Sequence, residues 1–158
     1  MSPLAARDPN ETDEERAVAQ AGEERPVLTE IDHVGIAVFD LHDALDTYRE
    51  AFGATVEHRE EMADDGVDVA LLKVAESYIQ LISPIREDST LTAFLEERGE
   101  GLHHVGFRVD DCAAALDRVK REGHQVIDEV PRPGSRGTTV AFIHPKTAFG
   151  TLIELVQE

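Results

Sequence analysis

The chain predicts an α+β fold: two tandem βαβββ modules forming a cupped, mostly antiparallel sheet around a metal site. Three observations lead there. The sequence repeats itself at a spacing of about 71 residues, each copy opens with an alternating strand followed by an aspartate-capped helix, and metal-ligand residue types recur at equivalent places in both copies. Asp32-His33-Val34-Gly35-Ile36-Ala37-Val38 matches His103-His104-Val105-Gly106-Phe107-Arg108-Val109, and Ala44-Leu45-Asp46 matches Ala115-Leu116-Asp117 at the same offset. Val69-Ala70-Leu71-Leu72 matches Val140-Ala141-Phe142-Ile143, and Ile79-Gln80-Leu81 matches Ile153-Glu154-Leu155 after a slip in the preceding loop. Such self-similarity marks one supersecondary unit used twice.

Each copy's helix starts at an N-cap aspartate, Asp40 in the first and Asp110 or Asp111 in the second, and closes near Gly53 or Gly123. Three short strands follow, over 55–60, 67–74 and 77–83 in the first copy and 125–129, 138–143 and 150–156 in the second. Between the copies Asp88-Ser89 caps a short amphipathic connector helix that carries Leu91, Phe94 and Leu95 and ends at Gly99. Residues 28–158 therefore read as one domain, with module one over 28–84, the linker helix within 85–100 and module two over 101–157. Residues 1–27 are expected to be an acidic, disordered tail, because seven acids precede Pro26 without an aromatic or an apolar period.

Composition excludes several classes. A single cysteine, Cys112, forbids a disulfide scaffold, and its acidic neighbours Asp110 and Asp111 disfavour a reactive thiolate. No apolar run approaches the roughly 18 residues of a membrane span and no basic-then-apolar leader opens the chain, so a cytoplasmic protein without membrane contact is expected. A net charge of −18 repels phosphate backbones, which argues against nucleic acid as a partner. The 33 acids against 15 cations, of which only Lys73, Lys120 and Lys146 are lysine, resemble the composition of proteins from salt-loving organisms. Self-repulsion at such a surface is tolerated when salt screens it.

Strand side chains alternate between faces, which divides the opening strand into Val34, Ile36 and Val38 toward the helix and His33, Gly35 and Ala37 away from it. In the second copy Val105, Phe107 and Val109 take the helix face and parity sends His103 with them, while His104 and Gly106 share the face of His33. On the closing strands Ile79, Leu81, Ile153 and Leu155 pack on the helices, which turns Gln80 and Glu154 to the other face. If the two sheets join about a pseudo-twofold axis, His33, Gln80, His104 and Glu154 meet at its centre. Two imidazoles, an amide oxygen and a carboxylate suit a six-coordinate divalent ion, Co2+ or Mn2+, with two positions open to a ligand. His42, His58, His103, His124 and His144 have no such repeat support and read as ordinary structural or surface residues.

Paired βαβββ modules with ligands on their first and last strands resemble the vicinal oxygen chelate superfamily. Within it, residues 31–38, Tyr78-Ile79-Gln80-Leu81, Gly101-Leu102-His103-His104-Val105, His144-Pro145-Lys146 and residues 150–155 resemble the methylmalonyl-CoA epimerases, over about four fifths of the chain. The resemblance implies the same four metal ligands and a metal-dependent epimerase that inverts carbon 2 of methylmalonyl-CoA by proton abstraction through a metal-stabilised enolate. It also implies a homodimer. Glyoxalase I shares the fold and three ligands but typically has a glutamate where this chain has Gln80; a lactoylglutathione lyase is thus the competing enzyme, and a small-molecule (drug) binding module the non-enzyme alternative. Glu154 is the first candidate for a proton-transfer base. Some bacterial relatives carry a glutamate where this chain reads Val69, and Asp68 alternates to the far face, so the second base has no obvious residue. Coenzyme A phosphates need cations, and from Pro131 to Ile153 there is no acid while Arg132, Arg136 and Lys146 surround a glycine-containing loop.

Overall fold

A computed structural model of the chain describes residues 12–14 and 26–158. The tail read over residues 1–27 lies, apart from 12–14 and 26–27, outside the described residues. The ordered elements are β1 (Glu30–Ala37), α1 (Leu41–Phe52), β2 (Val56–Met62), β3 (Val67–Val74), β4 (Ser77–Pro84), α2 (Thr90–Arg98), β5 (Gly101–Arg108), α3 (Cys112–Arg121), β6 (Arg132–Pro133), β7 (Thr139–Ile143) and β8 (Ile153–Gln157). They build one curled eight-stranded sheet in the order β2-β3-β4-β1-β5-β8-β7-β6, a palindrome of the two modules about the β1–β5 seam. Only the β1–β4 and β5–β8 pairs are parallel. No described helix is long and apolar enough to cross a membrane.

The helix caps follow from their side chains. Asp40 accepts from the Asp43 N–H at 3.1 Å, and of the two candidates in the second module it is Asp111 that caps, accepting from the Ala114 N–H at 3.0 Å. Gly53 ends α1 at φ 64°, where a side chain would be strained. The apolar side of α1, led by Leu41, covers Val38, Leu72 and Leu81. In the second module Ala115 and Leu116 of α3 cover Val109, Ala141 and Leu155. Burying one such leucine contributes about 1.5–3 kcal/mol. Cys112 is wholly buried in that cluster, and burial, assisted by Asp111, pushes its thiol up to about 11.

One expectation is corrected and another is extended. The strand expected over 125–129 is reduced to one isolated bridge, Val126 to Ile143, with β6 further on. Pro131 and Pro133 lack the N–H a ladder needs, and Asp128 Oδ2 takes the Phe142 N–H at 2.8 Å that a strand carbonyl would have taken. The helix α2 does more than connect: Leu91 and Leu95 pack on Ala37, Val67, Val69 and Ile82, the site-bearing face of module one.

Candidate metal centre

The two central strands carry the histidines. β1 and β5 run antiparallel with Gly35 opposite His104 and Gly106 opposite His33, so each ring lies over the other module's glycine. A Cβ on Gly35 would fall into the His104 ring and one on Gly106 into the His33 ring. The small residues thus make room for the partner module's histidine rather than for the neighbour in their own strand. Glu154 on β8 pairs with Gly106, and Gln80 on β4 pairs with Gly35, which sets both beside the seam.

His33 Nε2 lies 2.9 Å from His104 Nε2 and 2.9 Å from Glu154 Oε2, and His104 Nε2 lies 3.1 Å from the same oxygen. All three residues are less than 8% exposed. Adjacent ligand atoms at about 2.1 Å from one ion are about 3 Å apart when their bonds are perpendicular, so this spacing fits a shared divalent ion. The chemistry of the donors agrees. The His33 Nδ1 faces Asp32 Oδ2 at 2.7 Å and carries a proton there, so the close approach of His33 Nε2, His104 Nε2 and Glu154 Oε2 needs a proton or a cation among them. Gln80, 6% exposed, lines the same cavity as His104 and Glu154.

Electrostatics within the chain bind these groups together. Burial would lower the pKa of His33, but hydrogen bonds to Asp32 and then Glu154 outweigh it and raise it to about 9. Burial likewise raises Glu154, yet hydrogen bonds from His104 and His33 bring it down to about 2. Asp32 is buried too, and its contacts with His33, Arg108 and Arg136 hold it well below the usual carboxylate range.

A cavity of about 360 Å3 opens beside the cluster, lined by Val67, Val69, Ile82 and Phe94 together with Gln80, His104 and Glu154. Arg132 lines it, with its guanidinium held by Asp65 and Asp128 at 3.1 Å each and set over the Phe142 ring. Arg136 turns inward, 2.7 Å from Asp32 Oδ1 and over the Tyr78 ring. Lys146 is exposed on the turn after His144, beside Pro145 at the rim of a second cavity of about 380 Å3 that shares Phe94, His103 and His104. Asp68 is turned away from the cavity and pairs with Arg59 at 2.9 Å.

His103 lies where parity does not put it. His103, expected on the helix face with Val105, lines the cavity, its Nδ1 2.8 Å from His104 Nδ1 and its ring edge-on to Phe94. The cause is a β-bulge: Gly35 faces His104 and Ile36 faces Leu102, so His103 is an extra residue on β5 and its side chain is re-aimed. Burial first, and His104 second, lower its pKa to about 4. Strand alternation alone contains no signal for this; the adjacency of His103 to a ligand was the only hint.

Residues 32–142 match the model of the Glyoxalase/Bleomycin resistance/Dioxygenase superfamily. An ethylmalonyl-CoA/methylmalonyl-CoA epimerase of Cereibacter sphaeroides is 38% identical over 133 residues, covering 83% of this chain and 99% of its own length. The chain belongs to the methylmalonyl-CoA epimerase family. Solved members of that family agree. A Streptomyces coelicolor methylmalonyl-CoA epimerase in complex with 2-nitronate-propionyl-CoA superposes with a TM-score of 0.81 at 40% identity, over 83% of this chain and 95% of that one. A methylmalonyl-CoA epimerase in complex with methylmalonyl-CoA and NH4+ gives 0.80 at 40% identity with the same coverages. Similarity to a Neisseria meningitidis lactoylglutathione lyase is weaker, 26% over 127 residues, spanning 80% of this chain and 88% of the lyase.

Proposed function

We propose that the protein interconverts the two C2 epimers of methylmalonyl-CoA, removing a proton to form an enolate and returning one to the opposite face. The observation that carries this reading is the cluster of His33 Nε2, His104 Nε2 and Glu154 Oε2, whose His104 and Glu154 line a cavity of mixed apolar and polar walls, in a chain of this family. His33, Gln80, His104 and Glu154 would hold a divalent ion, Co2+ or Mn2+ by the mixed nitrogen and oxygen donors, and such an ion supplies Lewis acidity toward the thioester and carboxylate oxygens. Gln80, neutral where a lyase has glutamate, leaves the centre one charge more positive and so better suited to an acyl group that bears its own carboxylate.

The remaining steps fall to the chain's own groups. Val67, Val69, Ile82 and Phe94 keep water from the reacting carbon and give its methyl substituent an apolar wall. Glu154 is the proposed base, taking the proton of a C–H that the flanking carbonyls acidify. Asp65 is the other carboxylate on the cavity wall, paired with Arg132. Arg132, Arg136 and Lys146 are the cations proposed for the CoA phosphates. Arg136 contributes through the loop it anchors, Arg132 at the cavity and Lys146 from its exposed turn. CoA affinity that is unchanged in Arg132→Ala/Lys146→Ala would end that assignment.

The test is deuterium incorporation at carbon 2 in D2O with methylmalonyl-CoA, comparing metal-stripped and Co2+-loaded protein, with lactoylglutathione formation followed in parallel. Metal-dependent exchange without lyase activity is the expected result; hemithioacetal turnover without exchange overturns the reading. We also propose adaptation to salt, from the charge of −18, and a cytoplasmic homodimer, from the family resemblance. Melting temperature should then rise between 0.1 M and 3 M KCl, as the Debye length falls from about 10 Å to below about 3 Å. Equal melting temperatures would remove the salt adaptation.

A further inference from the structure

The β1–β5 seam contains not one bulge but two, related by the internal symmetry. On β1, Ile31 faces Phe107 while His33 faces Gly106, so Asp32 is the extra residue; on β5 the extra residue is His103. Asp32 and His103 are repeat equivalents, each directly preceding a proposed metal-ligating histidine. Neighbours in a regular strand point to opposite faces, which would keep a side chain away from the ring that follows it. Here both reach it. Asp32 Oδ2 is 2.7 Å from His33 Nδ1, and His103 Nδ1 is 2.8 Å from His104 Nδ1.

We propose that the paired bulges are a duplicated positioning device in which Asp32 and His103 each fix the tautomer and orientation of the histidine that follows, so that both Nε2 atoms point their lone pairs at the metal. The inference rests on the metal reading above. In module one the ring N–H donates to a carboxylate whose other oxygen is occupied by Arg108 at 2.8 Å and Arg136 at 2.7 Å, so Asp32 cannot rotate away. In module two the His104 Nδ1–H donates to the Nδ1 lone pair of His103, which must then carry its own proton on Nε2. The Phe94 ring, 4.7 Å away and edge-on, holds the His103 plane. The devices differ in strength. A buried carboxylate makes His33 the more basic ligand, whereas a neutral imidazole orients His104 without adding charge. Partners of this kind are worth about 10- to 100-fold in metal affinity. Asp32 and His103 are positioning residues, acting through the ligands they hold.

The direct test needs no substitution. In Zn2+-loaded protein, long-range 1H–15N correlation should place protons on Nδ1 of His33, Nδ1 of His104 and Nε2 of His103; a proton on Nδ1 of His103 overturns the proposal for module two, and an unprotonated His33 Nδ1 overturns it for module one. Asp32→Asn, which keeps an acceptor oxygen but loses the charge, and His103→Phe, which keeps the ring but loses the acceptor, should each weaken the limiting Co2+ affinity, taken where it no longer rises with pH, within that 10- to 100-fold range. The Asp32 variant should be the more affected, and the visible absorption of bound Co2+ should shift in both. Wild-type affinity and spectrum in both variants overturn this inference alone. A wild-type protein that binds neither ion overturns the metal reading, and this inference with it.

Discussion

Module one and module two share a backbone plan at the seam and diverge with distance from it. β1 and β5 have the same length, each with one bulge, one glycine opposite the partner histidine and one proposed ligand. Away from the seam the plan loosens. Module one continues into β2 and β3, seven and eight residues long, whereas module two ends in a two-residue β6 and a loop of prolines and glycines. Module one also has its site-bearing face covered by α2, while module two meets the cavity through Phe142, Val140 and Arg132. The constraint therefore lies where side chains of both modules must interpenetrate. A ring that sits over a glycine tolerates no added carbon, but a peripheral strand can be shortened if a side chain such as Asp128 takes over its hydrogen bond.

The hardest way to break the symmetry is at the glycines. Gly35→Ala and Gly106→Ala should each expel the opposing histidine ring and reduce Co2+ affinity by more than the ~100-fold a lost second-layer contact costs, with roughly 1–3 kcal/mol of overpacking strain. The effects should match because the clashes match. Titration of both variants with Co2+ checks this, and a variant of normal affinity would mean that the rings do not need these positions.

A second comparison exchanges the polar ligands. Gln80→Glu makes module one resemble module two and lowers the charge of the centre by one, so metal affinity should rise while deuterium exchange into methylmalonyl-CoA falls. Glu154→Gln should do the opposite to affinity and abolish exchange. Affinity changes of equal size and opposite sign would show that the closing-strand positions are equivalent in charge as well as in place, and unequal ones that they are not.

The pH dependence sharpens the contrast further. His33, with its pKa raised to about 9, holds a proton through neutrality in metal-stripped protein, and a metal must expel it. Co2+ affinity should climb by up to about tenfold per pH unit from 6.5 toward 9 and then level off. Calorimetry in buffers of different ionisation enthalpy should count the released proton, and an affinity flat across that range would contradict the assignment. In Asp32→Asn the rise should end at lower pH. The smallest expected effect lies at the helix caps, where Asp40→Ala and Asp111→Ala should each cost about 1 kcal/mol without altering Co2+ affinity. Unequal costs in urea denaturation would show that the two helices do not carry equal shares of stability.

The amino-acid sequence by itself determined the repeat, the βαβββ order, the Asp40 cap of α1 and the seam positions of His33, Gln80, His104 and Glu154, and it narrowed the α3 cap to Asp110 or Asp111. Those features are local or periodic: a cap is set within three residues, alternation within a strand, and the repeat by comparing the chain with itself. It could not determine where alternation fails. A bulge exists only relative to a partner strand, so the re-aiming of Asp32 and His103 appears only once β1 and β5 are paired in register. The same holds for Arg136, read along the chain as a phosphate-binding cation in a glycine-containing loop. It is brought to Asp32, 104 residues away in sequence, by the closure of the sheet. Chemistry carried by residue type and period was legible in one dimension, whereas every contact that depends on which strand lies beside which was decided by the tertiary fold, because only there do sequence-distant groups compete for the same hydrogen bond.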